Sequence, residues 1–307
     1  MAEQEAISPK KLLQNEGELD IAKIISTLLK EKLILISTTF VAATLAIIIS
    51  LQLPNVYRAE ALLSPVNQQA SSKLSGFAKT LGGLGGGLVE NEISPTSLAL
   101  EILHSRLFIT SFIKRHNLLP QLMATEVWVS SDNSLVFDDS FYDDESKSWK
   151  EGKKRPTDWE AYDEFSKILS VNKNTDTGFI TVSIDHISPN IASEWVTLLI
   201  KDLNAHSKQS EIARSIKSID YLEAQLQNTN ISEIKNILYD MIRQQVQKGL
   251  LAETREEFVL ETVDPAIAPE KKIAPKRSII VILSTIFGGL TGLLIIYMKY
   301  ILRRYKA

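Results

Sequence analysis

Two runs of 21 residues without a charge, Leu33–Leu53 and Ser278–Met298, stand close to the two ends of the chain and set what it can fold into. At about 1.5 Å of rise per residue, each is long enough as a helix to cross the roughly 30 Å hydrocarbon core of a bilayer. Two crossings put both termini on one side and leave residues 54–277 as a loop domain tied to the membrane at both ends. The organisation read from this is an N-terminal segment 1–32, a transmembrane helix 33–53, a loop domain 54–277, a second transmembrane helix 278–298 and a tail 299–307.

Orientation follows from the flanking charge. The first run has no small-residue cleavage pattern at its end, where Leu51-Gln52-Leu53-Pro54-Asn55 follows, so it reads as an uncleaved signal anchor. Lys23, Lys30, Lys32, Lys299, Arg303, Arg304 and Lys306 lie on the terminal side, against Arg58, Lys271, Lys272, Lys276 and Arg277 on the loop side. Seven against five favours cytoplasmic termini and an exoplasmic domain.

The loop domain carries 25 basic and 31 acidic residues, a balance of −6, while the tail after Met298 holds +4. No basic surface for nucleic acid is indicated. With no cysteine in the chain, an exported domain of this size depends on a packed core rather than on disulfides.

Along the loop, Val56–Ser64 reads as a strand stopped by Pro65, and residues 67–92, rich in Gln, Ser and Gly, as a loosely packed segment. Ser94-Pro95 opens a helix in which Leu98, Ile102, Phe108 or Ile109, and Phe112 recur up to Arg115. The polar stretch from Ser130 to Thr157 reads as surface loop, Trp159–Leu169 as a short helix, and Gly178–Ile187 as a half-buried strand. From Asn190 to Gln227 there is no Gly or Pro, and apolar residues recur in helical register. A continuous helix there would run about 57 Å. Asn228-Thr-Asn interrupts it, and Asn230 with Glu233 has the spacing of a capping box for a second helix. Phe258–Val263 is a last strand, and Pro265, Pro269 and Pro275 stiffen the lead into the second span.

The fold class expected is therefore a membrane-anchored α/β protein, with two transmembrane helices flanking an α/β base and a long helical hairpin arm over about 190–257. A narrow arm cannot bury its apolar stripe within its own domain, so Ile212, Ile216, Ile219 and Leu222 are expected at an oligomer contact. The alternative is an ordinary long helix lying across a monomer core.

No constellation for bond chemistry stands out. His104, His116, His186 and His206 are far apart, with no metal-ligand spacing. The acids Asp138, Asp139, Asp143, Asp144 and Glu145 lack the spacing and central glycine of an EF-hand loop. Gly82 to Gly87 lacks the Gly-Lys-Ser/Thr ending of a phosphate-cradling loop. No catalytic residue, metal or cofactor is assigned. In the second span, Gly288, Gly289 and Gly292 permit close approach of another helix, either the first span or a different protein.

Taken in order, several stretches resemble the polysaccharide co-polymerases, the O-antigen chain-length determinants often called Wzz proteins. They are Val-Tyr-Arg-Ala-Glu-Ala-Leu-Leu-Ser-Pro at 56–65, Ala-Leu-Glu-Ile-Leu-His-Ser-Arg at 99–106, and Phe-Ser-Lys-Ile-Leu-Ser-Val at 165–171. Ser-Pro-Asn-Ile-Ala-Ser-Glu-Trp-Val at 188–196, Asp-Pro-Ala-Ile-Ala-Pro-Glu-Lys at 264–271 and a Pro-Lys-Arg entry to a glycine-bearing span complete the set. Tyr57, Arg58, Pro265, Pro269 and Pro275 form its membrane-proximal motif.

The resemblance implies a bacterial inner-membrane protein with a periplasmic domain and both termini in the cytoplasm. It implies a homo-oligomer that sets the modal length of a polysaccharide built on an undecaprenyl-pyrophosphate carrier. The family works beside a separate integral-membrane polymerase and makes no bonds itself. With nine residues after Met298 and no Walker sequence, the chain is expected in the short, kinase-free class. The rival readings are a co-polymerase for enterobacterial common antigen, capsule or exopolysaccharide and, behind it, a membrane-tethered enzyme.

Overall fold

The computed structural model describes residues 31–66, 94–152 and 154–305. The glycine-rich segment expected at 67–92 lies outside the described residues. The chain divides into two units, one made of residues 1–54 with 275–307 and the other of residues 55–274.

The first unit is a pair of helices, α1 (Lys32–Gln52) and α8 (Arg277–Tyr305), both long and apolar enough to cross a membrane. They run antiparallel: the Glu31 carboxylate accepts from Lys299 Nζ at 2.9 Å near one end, and Leu35, Thr38 and Ala42 line up against Gly292 and Gly288 further along. The outward side chains, among them Phe40, Ile49, Phe287 and Leu294, are exposed. An apolar surface of that extent on a two-helix pair is of the kind that hydrocarbon solvates.

The second unit is built on a four-stranded antiparallel sheet, order β6-β7-β1-β8: β1 (Tyr57–Pro65), β6 (Leu169–Lys173), β7 (Ile180–His186) and β8 (Leu260–Asp264). Alternation along each strand sends Ala59, Ala61, Leu63, Ile180, Val182 and Ile184 to one face, all with almost no exposure. That face is covered by the first half of α6 (Pro189–Asn228), through Ala192, Trp195, Val196, Leu199 and Leu203. Helices α2 (Pro95–His104), α3 (Arg106–Arg115), α4 (Leu119–Met123) and α5 (Asp158–Ile168) complete the layer, and Phe112, Phe165 and Trp195 form a chain of ring contacts at 5.6 and 5.9 Å. The helix starts follow local chemistry. Ser94 and Ser188 each accept an amide of the first turn and are each followed by a proline at the first helical position, where no donor is lost.

Four local expectations are corrected. The helix expected from Ser94 to Arg115 is two helices, because Ser105 takes an extended conformation (φ −72°, ψ 135°) and caps α3 by accepting from Phe108 N. The stretch 130–157, expected as loop, contains three strands: β3 (Ser134–Phe137) pairs with β2 (Thr125–Val129) just before the stretch, and β4 (Tyr142–Asp143) pairs with β5 (Ser148–Trp149). Aromatic packing holds this polar region, with Tyr142 edge-on to both Phe137 and Trp149 at 5.3 Å. Pro65 is the last residue of β1 rather than its stop, a strand-end position at which a missing donor is tolerated. The capping box expected at Asn230 and Glu233 does not form: α7 (Ser232–Thr254) starts behind Ile231 with no side-chain cap. A capping box is present elsewhere, between Thr157 and Glu160 at the start of α5.

Candidate functional site

The arm leaves the sheet along α6 and returns along α7. At 40 and 23 residues these helices run about 60 and 35 Å. On α7, Leu238, Ile242, Gln245, Gly249 and Ala252 recur at spacings of four and three and are buried or half-buried, which marks the stripe that faces α6. The helices come close at Ser215, whose Cβ would lie 3.6 Å from a Cβ placed on Gly249.

The four residues expected at an oligomer contact do not share one environment. Leu222 is buried, Ile212 and Ile219 are half-buried, and Ile216 is exposed. The register explains the split, because Ser215 and Leu222 are seven apart on the stripe toward α7 while Ile216 is turned by about 100° from it. Other apolar side chains remain in solvent on both flanks of α7: Ile234, Ile237 and Met241 on one, Tyr239, Val246 and Leu250 on the other. An open groove lined by Tyr239, Ile242, Arg243 and Val246 follows the second flank.

The root of the arm is held by polar groups that the sequence did not single out. Asn204, buried on α6, accepts the consecutive amides of Phe258, Val259 and Leu260 on Oδ1 at 3.1, 2.9 and 3.1 Å, and donates from Nδ2 to Leu260 O at 2.9 Å. One turn along, Lys208 Nζ donates to Glu253 O and Arg255 O, satisfying carbonyls at the C-terminus of α7 where a cation is favoured. Asp202, also buried, accepts Arg115 Nη1 at 2.7 Å and His116 Nε2 at 3.0 Å on one carboxylate oxygen. The available signal was modest: an asparagine and an aspartate inside a helix, where both are poor formers, two residues apart.

The membrane-proximal motif residues have defined partners. Tyr57 packs edge-on against Trp128 at 5.6 Å. Arg58 sits directly opposite Asp185 across β1 and β7 and forms a two-point ion pair with it at 2.6 and 2.8 Å. Pro265 is exposed, and Pro269 and Pro275 are half-buried. Beside Pro275 the backbones of Val56 and Ala274 bond in both directions, which brings the entry and exit of the second unit together. In the first unit, a Cβ on Gly288 would lie 2.6 Å from Ala42 Cβ and 3.1 Å from Thr38 O, and one on Gly292 would lie 3.0 Å from Leu35 Cδ1. The glycines therefore face α1 of the same chain, with Gly289 at the edge of the contact, 3.5 Å from Thr39 Cγ2.

His186 is the one strongly buried histidine. Its Nδ1 accepts from Ser188 N at 3.0 Å, its Nε2 donates to Gln121 O at 3.3 Å, and its ring lies 5.0 Å from that of Trp195. Burial holds its pKa below the ordinary histidine value. Among the described residues, no group of three histidine or carboxylate side chains converges as a metal site would require.

These features define a helix-anchored α/β unit carrying a paired-helix arm. Two family models match the chain: Wzz, described as chain length determinant protein, over residues 17–116, and GNVR, described as a G-rich domain on putative tyrosine kinase, over residues 225–301. The chain is thus similar in its first third to the chain length determinant model and towards its C-terminus to the GNVR model. No curated protein matches it. Among solved structures it is similar to a full-length bacterial polysaccharide co-polymerase (15% identity, TM-score 0.40, 95% of this chain and 100% of that one). It is also similar to a fragment of WzzB from Salmonella Typhimurium (11% identity, TM-score 0.31, 72% and 100%). A third is a mutant of the O-antigen chain-length regulator WzzB of Shigella flexneri (12% identity, TM-score 0.19, 71% and 99%). The likeness that carries the argument is that of the sequence matches.

Proposed function

We propose that this chain is a non-catalytic regulator of polysaccharide chain length, acting as an oligomeric scaffold for O-antigen beside a separate membrane polymerase. The carrying observation is the chain-length-determinant match over residues 17–116. In this reading α1 and α8 cross the inner membrane, the α/β unit lies in the periplasm, and both termini are cytoplasmic. The growing polymer on its undecaprenyl-pyrophosphate carrier is the object whose length is set. Apolar side chains on both flanks of one arm suit a head-to-tail contact, in which each protomer offers one flank to each neighbour and the assembly closes as a ring. Packing between α1 and α8 at Gly288 and Gly292 would fix the footing of each protomer.

The test is to delete the gene and profile the surface polysaccharide on gels. The expected result is continued polymerisation with loss of the modal cluster, restored by the intact chain and by alanine variants of Asp138, Asp139, Asp143, Asp144 and Glu145. Complete loss of polymer, on deletion or from one carboxylate change in a stably expressed protein, would mark the chain as an enzyme. A normal O-antigen profile with a changed capsule, exopolysaccharide or common-antigen profile would move the same role to that polymer.

A further inference from the structure

Of the four tryptophans, Trp195 is buried and Trp128 and Trp149 are half-buried, but Trp159 on α5 stands 61% exposed. An indole left in solvent forgoes one of the larger gains a fold can make. It is nevertheless held in place. The Thr157–Glu160 capping box fixes the start of α5 around it, the Arg106 guanidinium of α3 lies over its ring at 5.3 Å from the centroid, and the Tyr162 ring, one turn on, is tilted beside it at 6.3 Å. Tyr162 is fixed in turn by its hydroxyl, which donates to His104 O at 3.2 Å. The result is a platform of two rings set before any ligand arrives, with more than half of Trp159 open to solvent.

The surroundings decide what such a platform can hold. Every other exposed position of α5 is polar, at Asp158, Glu160, Asp163, Ser166 and Lys167. The core of a protein interface is depleted in charge around its anchors, and this setting is the opposite. The carboxylates are also taken: Asp158 pairs with Lys114, Asp163 with Lys167 at 2.9 Å, and Glu160 accepts the amide and hydroxyl of Thr157. A cationic ligand would therefore find its counter-charges already paired. Arg106 meets an indole rather than a carboxylate, which leaves its N–H edge as a row of donors. A neutral, polyhydroxylated ring fits this chemistry: a pyranose has an apolar C–H face that stacks on an aromatic ring and a rim of hydroxyls for the charged groups around it.

We propose that Trp159, Tyr162 and Arg106 form a carbohydrate-binding platform, on which a sugar ring of the regulated polysaccharide stacks against the indole while its hydroxyls accept from the guanidinium. The naming of that polymer as the ligand rests on the function proposed above; the platform itself rests on α3 and α5 alone.

The full chain, in a detergent without a sugar headgroup, would be mixed with the producing strain's own O-polysaccharide released from its lipid by mild acid. Saturation transfer from protein to sugar is read by NMR and affinity by calorimetry. Transfer is expected to be strongest at ring C–H protons. Trp159→Ala should weaken binding about tenfold or more, and Trp159→Phe, which keeps a ring, distinctly less. Because Trp159 is exposed, both variants should melt within about 1–2 °C of the natural chain. Unchanged affinity in Trp159→Ala would overturn the proposal, as would absence of binding to this polymer and to the strain's other surface polysaccharides. So would a loss of assembly by light scattering in Trp159→Ala without any sugar binding, which would make the patch a contact between copies of the chain. Binding through Trp159 in a strain whose deletion leaves every polysaccharide profile unchanged would keep the platform and overturn the chain-length role. Loss of the modal cluster on deletion, with no binding at Trp159, would overturn the platform alone.

Discussion

Asn204 and Leu260 are joined twice, the asparagine amide donating to the leucine carbonyl at 2.9 Å while its oxygen accepts the leucine amide at 3.1 Å. A side chain on a helix thus pairs with a strand as another strand would, 56 residues away in sequence. Because the same oxygen also takes the amides of Phe258 and Val259, this one residue fixes where the chain re-enters the sheet after the arm.

Replacing Asn204 with Ala strands three buried amides and one carbonyl. At about 1–3 kcal/mol for each buried group left unpaired, partly relieved by relaxation, the loss of stability is expected at about 3–5 kcal/mol. Denaturant unfolding in mild detergent measures it, and hydrogen exchange at 258–260 should accelerate ahead of the sheet centre. Asn204→Asp keeps the acceptor but sets a carboxylate against Leu260 O, so it should be less harmful at the amides yet still destabilised. A loss under about 0.5 kcal/mol for Ala would show that the clamp is dispensable.

His186 makes stability depend on pH. Its pKa is lowered in the fold by burial, so the folded state favours the neutral ring, whose Nδ1 accepts from Ser188. The contribution is fully present above the unfolded value of about 6.5 and is lost as pH falls from there toward the lowered folded value. Melting temperature measured from pH 7.5 to 5 should drop more steeply for the natural chain than for His186→Gln, which cannot take up the proton. Parallel curves would count against this assignment.

Leu at both Gly288 and Gly292 should separate α1 from α8 without expelling either from lipid, because Ala42, Thr38 and Leu35 occupy the space a larger side chain needs. A Thr39→Cys, Gly289→Cys pair reports the separation directly: it should cross-link on oxidation in the natural background and fail to do so in the double Leu variant. Efficient cross-linking in both would mean that the glycines are not needed for the approach.

On the arm, buried and exposed positions should behave differently. Leu222→Ala opens a cavity on the paired stripe and is expected to cost about 2–4 kcal/mol. Ile216→Glu and Val246→Glu stand in solvent and should leave the protomer's melting temperature within about 1–2 °C, as for surface substitutions generally. If the arm flanks meet neighbouring protomers, the two Glu variants should reduce the assembly seen by light scattering in mild detergent. Unchanged assembly in the double variant would place the contact elsewhere.

The parts legible in the sequence were those governed by one dimension of pattern. The apolar runs gave α1 and α8, and the absence of Gly and Pro from Asn190 to Gln227 gave α6 and its length. Ser94-Pro95 and the alternation around Ile180 to Ile184 marked a helix start and a strand. What escaped was set by particular contacts rather than by periodicity. The hairpins between Thr125 and Trp149 are held by contacts among Phe137, Tyr142 and Trp149 that no local periodicity announces. The cap expected at Asn230 lost to a turn closed without a side chain. Within the candidate site, the glycine face was visible as spacing, but its partner, Thr38, was not. Asn204, Lys208 and Asp202 carried no pattern at all, because each meets a group 45 or more residues away.

The sheet order also has a consequence for the order of synthesis. Strand β1 is an inner strand, paired with β7 on one side and β8 on the other, yet it is made before either. More than a hundred residues must leave the ribosome before Ile180 arrives to cover its first edge, and about eighty more before Leu260 covers the second, which at 5–20 residues per second is on the order of ten seconds or more. Helix α1 waits longer still for the glycines of α8. Each nascent chain therefore carries an open strand edge until Leu260 appears and an unpartnered apolar helix until α8 does, and this interval, more than the finished protein, is where chaperones and insertion factors have something to protect.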